Sequence, residues 1–296
     1  MSADTHRLSP EWPTSGAGTA IARVGLKKGQ TMALTMLLMM GLVALPGTAG
    51  AASAAATPAP PNPAGIDWMP IAPAGGAAAF DIARTETTVA QFRRFAQATG
   101  TVTRAERAGG GQVYEAGWTT KPGWTWARPF GVPAADDEPA VHIDFTEAQA
   151  FCRWAGGRLP TDAQWVRAAY TETRPAPQAP LQRGKTYSFP TGDSPAGAQC
   201  LGDCGTAADA RAVRHGANLW RGRGHAAVTA TPAGVNGLHD MGANAWEWVD
   251  GGPGAEQPTL GGSWWYGAGP MHRDHRATKA ADLSVVYIGF RCARSR

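Results

Sequence analysis

Apolar residues recur at helical spacing in three short stretches of the chain and otherwise fall into brief runs broken by Gly and Pro. In "TTVAQFRRFAQATG" (87–100), Val89, Phe92, Phe95 and Ala96 share a face. Thr88 with Gln91 three residues on supplies a capping box, and Gly100 supplies the stop. In "FTEAQAFCRWAGG" (145–157) the face is Ala148, Phe151, Cys152 and Ala155, which points Cys152 inward. There Thr146 and Gln149 predict the start, and Gly156 and Gly157 the end. A third helix is predicted from Thr161 and Gln164 through Trp165 and Ala168, ending before Pro175. Runs such as "AVHIDF" and "YIGFRCA" predict short strands between Gly- and Pro-rich turns. No repeat or heptad interrupts this pattern. The expectation is one α+β domain over residues 66–296, with few helices and long loops held by disulfides, ions or dense packing.

Hydropathy also sets the N-terminal boundary. Lys27 and Lys28 precede the apolar run "MALTMLLMMGLVAL" (32–45), which breaks at Pro46 and Gly47 and is followed by small residues. A basic flank and an apolar segment too short to span a bilayer predict a secretory signal over residues 1–51, cleaved near Ala51. The alternatives are an uncleaved anchor or a mis-assigned start. Residues 52–65, "ASAAATPAPPNPA" and Gly65, read as an Ala/Pro-rich linker. The mature protein is therefore expected in the periplasm or outside the cell, with no membrane attachment after cleavage. Loss of residues 1–51 removes four basic and two acidic side chains, so the net charge falls from +4 to +2. No run of Lys and Arg in the remainder suggests nucleic acid or an anionic membrane.

All four cysteines, Cys152, Cys200, Cys204 and Cys292, lie in the exported part, where disulfides are favoured. Three pairings are possible. The short loop "LGD" between Cys200 and Cys204 can close a local bridge, leaving Cys152 for Cys292. The competing reading is a metal site made by the "CLGDC" pair with His215.

Three stretches carry a resemblance: "AQAFCRWAGGRLPTDAQW" (148–165), "GLHDMGANAWEWV" (237–249), and "LGGSWWYGAG" closing with "GFRCA" (260–293), with a weaker match at "FDIARTETTVAQFRRF" (80–95). In order and spacing they resemble the formylglycine-generating enzyme (sulfatase-modifying factor) family. The resemblance implies a compact C-type lectin-like fold of low regular secondary structure, a Cys152–Cys292 disulfide, and calcium held by the Asp240 side chain, the Ala243 and Ala245 carbonyls and Glu247. Such hard oxygen ligands suit Ca²⁺. A second family calcium site would use Asn218 and the Leu219 carbonyl, but the Asp it also needs is absent, since no Asp or Glu occurs from Leu219 to His239.

The family's oxidases bind copper(I) through two cysteines just after the "GGS" turn. Here those positions fall on Tyr266 and Met271, and neither supplies a thiolate, so the family's copper-dependent cysteine oxidation is expected to be absent. Met271, His272 and His275, with Tyr266 nearby, are the candidates for a replacement copper or iron site, with Asp274 as a further iron ligand. The loop containing Trp118, Trp124 and Trp126, with Trp264 and Trp265, is the candidate wall of an aromatic groove for a peptide, metabolite or partner protein. The alternative is that these tryptophans pack a loop-rich core. Two functions compete. One is oxidative maturation of a periplasmic peptide or metabolite by a non-thiolate site. The other is a calcium-stabilised, non-catalytic module binding a peptide, glycan or partner. A true formylglycine-generating oxidase is the least favoured. No room remains for the extra iron-binding domain of ergothioneine-type synthases, and no Gly-x-Ser-x-Gly or His-Glu-x-x-His motif occurs.

Overall fold

A computed structural model describes residues 62–296. The expected leader, and the linker up to residue 61, lie outside the described residues. Residues 62–65, which composition assigns to the linker, are hydrogen-bonded to the domain, although of the four only Ala64 is buried. Asn62 accepts from the Ile66 amide at 2.9 Å, and buried Ala64 gives its carbonyl to Arg94.

Two of the three predicted helices start where the capping chemistry places them. Helix α1 (Val89–Thr99) follows Thr88, whose side chain accepts from the Gln91 amide, and Gly100 ends it in the left-handed region at φ 69°. The third prediction is realised as Asp162–Tyr170, capped reciprocally by Thr161 and Gln164. The middle prediction is displaced by two residues. That helix is Phe145–Trp154, and Asp144 with Glu147 makes the capping box in place of Thr146 with Gln149. The earlier start lets Phe145 bury its ring 5.9 Å from Trp248, and it puts carboxylates at the positive end of the helix. A short helix missed by periodicity, α2 (Arg104–Arg107), is capped by Thr103 and Glu106. In chain order the Phe145 helix is α3, the Asp162 helix α4, and a last short helix, Ala207–Arg211, α5.

Among the described residues, nine strands form three small sheets. Strands β1 (Trp68–Ile71), β2 (Phe80–Ala83) and β9 (Ala293–Ser295) pair antiparallel, so the described N-terminal segment is joined to the C-terminal one. Strands β3 (Gly110–Tyr114) and β4 (Trp118–Pro122) form a hairpin. The third sheet has the order β7 (Ala277–Ala280), β6 (Glu256–Leu260), β5 (Trp246–Trp248), β8 (Ile288–Phe290); only β5–β8 is parallel. Over that sheet Phe92, Phe151 and Phe290 pack ring against ring at 5.3–6.4 Å. A second core surrounds Trp165 and Tyr170 of α4 with Ile71, Phe80 and Leu260. Cys152 of α3 is bridged to Cys292, between β8 and β9, and Cys200 is bridged to Cys204. No described helix is long and apolar enough to cross a membrane.

Candidate functional site

The segment from Asp240 to Trp248 lies at the centre of the molecule because β5 pairs on one side with β6 and on the other with β8, setting Glu247 opposite both Leu260 and Gly289. The turn after β6 depends on glycine. Gly261 and Gly262 have φ of 93° and 78°, and a Cβ on Gly261 would meet the Met241 carbonyl at 2.7 Å. Both oxygens of the fully buried Glu247 accept from the Arg291 guanidinium at 2.7–2.9 Å, and Oε2 also accepts the Trp165 indole N–H at 2.7 Å. Arg291 donates in addition to the carbonyls of Ala83, Arg84 and His239.

Glu86 belongs to this centre although its sequence context does not mark it. It accepts from the Asn244 side chain at 2.7 Å and from the Ala245 amide at 2.9 Å, which fixes the loop before β5. Burial, with Asp240 and Glu247 close by, holds its carboxyl well above the usual carboxylate range. Burial likewise pushes Asp240 up to about 7, against a hydrogen bond from Thr231. Asp240 Oδ1 accepts that bond at 2.8 Å, whereas buried Oδ2 has no hydrogen-bond partner. Asp240, Ala243 and Asn244 all have positive φ, a conformation non-glycine residues adopt at a cost.

The residues assigned to calcium fit an ion in part. Asp240 offers a buried, unpartnered carboxylate oxygen beside a strained loop, the arrangement a hard cation would satisfy. Glu247 instead gives both oxygens to Arg291 and Trp165, and among the described residues no three His, Cys, Asp or Glu side chains converge as metal ligands.

The positions after the "GGS" turn are dispersed. Met271 is fully buried. Its Sδ lies 3.7 Å from Cys204 Sγ, its Cε would clash with a Cβ on Gly242, and its carbonyl accepts from Tyr170. It fills core space against the Cys200–Cys204 bridge and is removed from any open site. Tyr266 is half-buried, with its ring 5.8 Å from Trp246 and the Arg221 guanidinium 5.7 Å above it. His275 also lies against Trp246, at 5.8 Å, with its imidazole lowered by burial and by Lys279 and Arg276. His272 points elsewhere: its ring edge meets Phe189, and its Nδ1 is 3.4 Å from Asp274 Oδ2. The four candidates therefore form no common site, although Tyr266 and His275 share the Trp246 surface.

The aromatic groove is corrected as well. Trp124, Trp126, Trp264 and Trp265 are buried, packing on Phe130, on Phe92, and on each other with Tyr287. Only Trp118 of that set is open, 42% exposed on β4 beside Tyr114. The apolar area of these rings gains enough from the core to be buried even though the indole N–H groups of Trp126 and Trp264 find no hydrogen-bond partner there. The open surface lies instead by Trp220, which is 60% exposed and 6.4 Å from Trp265. It rims a cavity of about 450 Å³ lined by residues 209–223, among them Asn218, Leu219, Arg214, Arg221 and Arg223. Three guanidinium groups around Asn218 and Leu219 oppose a second calcium ion there. His215 stacks on Phe130 at 4.0 Å, and with both neighbouring sulfurs in a disulfide the alternative metal site of the "CLGDC" pair is not formed.

With this geometry in view, comparison with known proteins is specific about kinship. The Sulfatase-modifying factor enzyme 1-like domain matches residues 52–296. A formylglycine-generating enzyme from Bos taurus is 28% identical over 273 residues, covering 73% of this chain and 65% of its own length. The chain thus spans just under two thirds of that relative. A protein of Mus musculus named inactive C-alpha-formylglycine-generating enzyme 2 is 28% identical over 206 residues, covering 60% of this chain and 57% of its own. Among solved structures, PvdO from Pseudomonas aeruginosa superposes with a TM-score of 0.51 at 21% identity, covering 74% of this chain and 82% of that one, a likeness of fold.

Proposed function

Because the chain belongs to the sulfatase-modifying factor family, with its compact C-type lectin-like fold, we propose that it is an exported ligand-binding member that has kept the fold and lost the thiolate oxidase. The observation that carries this reading is Met271. One of the two positions needed for a copper-binding thiol holds a thioether sealed against a disulfide, and every cysteine is bridged. Two disulfides and no free thiol also favour an oxidising compartment, periplasmic or extracellular. The existence of a relative named inactive supports the same direction. The binding surface is the cavity rimmed by Trp220 and bordered by Tyr266. Calcium, if held, takes Asp240 and the carbonyls of Ala243 and Ala245, and its role is to neutralise buried carboxylate and stiffen the loop before β5.

The test is oxygen consumption with a Cys-x-Pro-x-Arg peptide and copper(I). No uptake is expected, and turnover would overturn the reading. Melting with EGTA checks the calcium assignment. Chelation lowers Tm for the native protein and leaves Asp240→Asn unmoved, and an unchanged native Tm removes the site. A second reading, oxidative maturation of a peptide or metabolite by a non-thiolate site, draws on Tyr266 and His275 sharing the Trp246 surface. Stoichiometric copper or iron in the purified mature protein, lost in His275→Ala, would favour it.

A further inference from the structure

The cavity next to Tyr266 has a basic lining. Arg214, Arg221 and Arg223 line it against one carboxylate, Asp209. Among the described residues only Arg223 has an ion-pair partner in that set, Asp209 at 3.9 Å, and both of those side chains are largely exposed. Arg214 is exposed and makes no ion pair among the described residues, and Arg221, also without an ion pair among them, lies over the face of Tyr266, a contact that leaves its N–H edges available to an anion. Planar guanidinium forks match the oxygens of phosphate, sulfate or carboxylate, and clustered they repel cations. The same rim carries Trp220, the most exposed large apolar residue described, available to stack on a flat group. A volume of about 450 Å³ suits a small molecule.

We infer that this cavity binds an oxyanion carried on a planar ring. The inference rests on the binding reading above and names the ligand class of that surface. An arginine-bearing peptide is disfavoured in this cavity by the same charges.

Calorimetry on the mature protein tests it with phenyl phosphate, phenyl sulfate and benzoate against phenol and benzylamine. At least one anion binds about tenfold more tightly than phenol at low salt, weakens as salt is raised, and identifies by its rank which oxyanion is preferred. The double variant Arg214→Gln, Arg221→Gln loses that preference with Tm unchanged. Trp220→Ala weakens the aryl anion but not the corresponding inorganic ion. Equal binding of phenol, tighter binding of benzylamine, tighter binding of a mixed-sequence oligonucleotide, or an undiminished double variant would each overturn it. Oxygen turnover would sink the proposed function without touching the anion preference. Absent preference in a protein that consumes no oxygen would sink this inference alone.

Discussion

The two disulfides differ in what they do for stability, and the difference can be worked from their positions in the chain. Cys152 and Cys292 are 140 residues apart, Cys200 and Cys204 only 4. If a cross-link acts by restricting the unfolded chain, the stabilisation grows with the logarithm of the loop it closes, giving about 5 kcal/mol for the long loop and about 2 kcal/mol for the short one. All four cysteines are buried, so replacing each pair by alanine removes similar packing, and that contribution largely cancels between the two variants. Urea unfolding followed by tryptophan fluorescence on Cys152→Ala, Cys292→Ala and on Cys200→Ala, Cys204→Ala should separate them by about 3 kcal/mol. For a domain of this size that is roughly 6–12 °C in Tm. If the short-loop variant loses as much as the long-loop one, loop entropy is not the source of the stabilisation.

Three further outcomes follow from buried groups. Burial lowers the His142 imidazole to about 4. Its contribution is fully present above the unfolded pKa of about 6.5 and is lost as pH falls toward 4, by about 3 kcal/mol. In His142→Asn, which suits the local φ of 58°, the acid loss of unfolding free energy should shrink by that amount, and an identical pH profile would refute the assignment. Met271→Ala should cost about 2–5 kcal/mol in urea unfolding through the cavity it leaves, whereas His272→Ala, at a half-buried ring, should cost no more than about 1 kcal/mol; equal effects would return Met271 to the surface. Arg291→Met strands the Glu247 charge beside Glu86 and Asp240 and should cost about 3–5 kcal/mol. Adding Glu247→Gln should recover part of that loss, and no recovery would mean that Arg291 acts through its carbonyl contacts instead.

The helices were legible where a cap and an apolar face agree, as at Thr88 and Thr161. They were ambiguous at α3, because Asp144 with Glu147 and Thr146 with Gln149 obey the same rule two residues apart, and only burial of Phe145 decides between them. Helix α2 is too short for any periodicity, though Thr103 with Glu106 was a readable signal. The substitution of Tyr266 and Met271 for cysteines was visible as a change of chemistry, but not that Met271 faces a disulfide, since spacing along a loop carries no direction. Tryptophan spacing likewise does not separate a groove from a core. The arginines of "RHGANLWRGR" are spread over ten residues, so no run of basic residues marks them, and a loop is needed to bring them round one cavity. Glu86 sits in the polar run Arg84–Thr88, where a carboxylate reads as a surface residue, and its partners lie about 160 residues away.

The pairing of β9 with β2, the bridge from Cys152 to Cys292 and the five donor groups of Arg291 place the closing contacts of the fold within residues 288–295. Most of these contacts close loops of well over a hundred residues, and contacts of such separation are slow to form, so the pace of folding is set by how soon residues 80–84 and 288–295 meet.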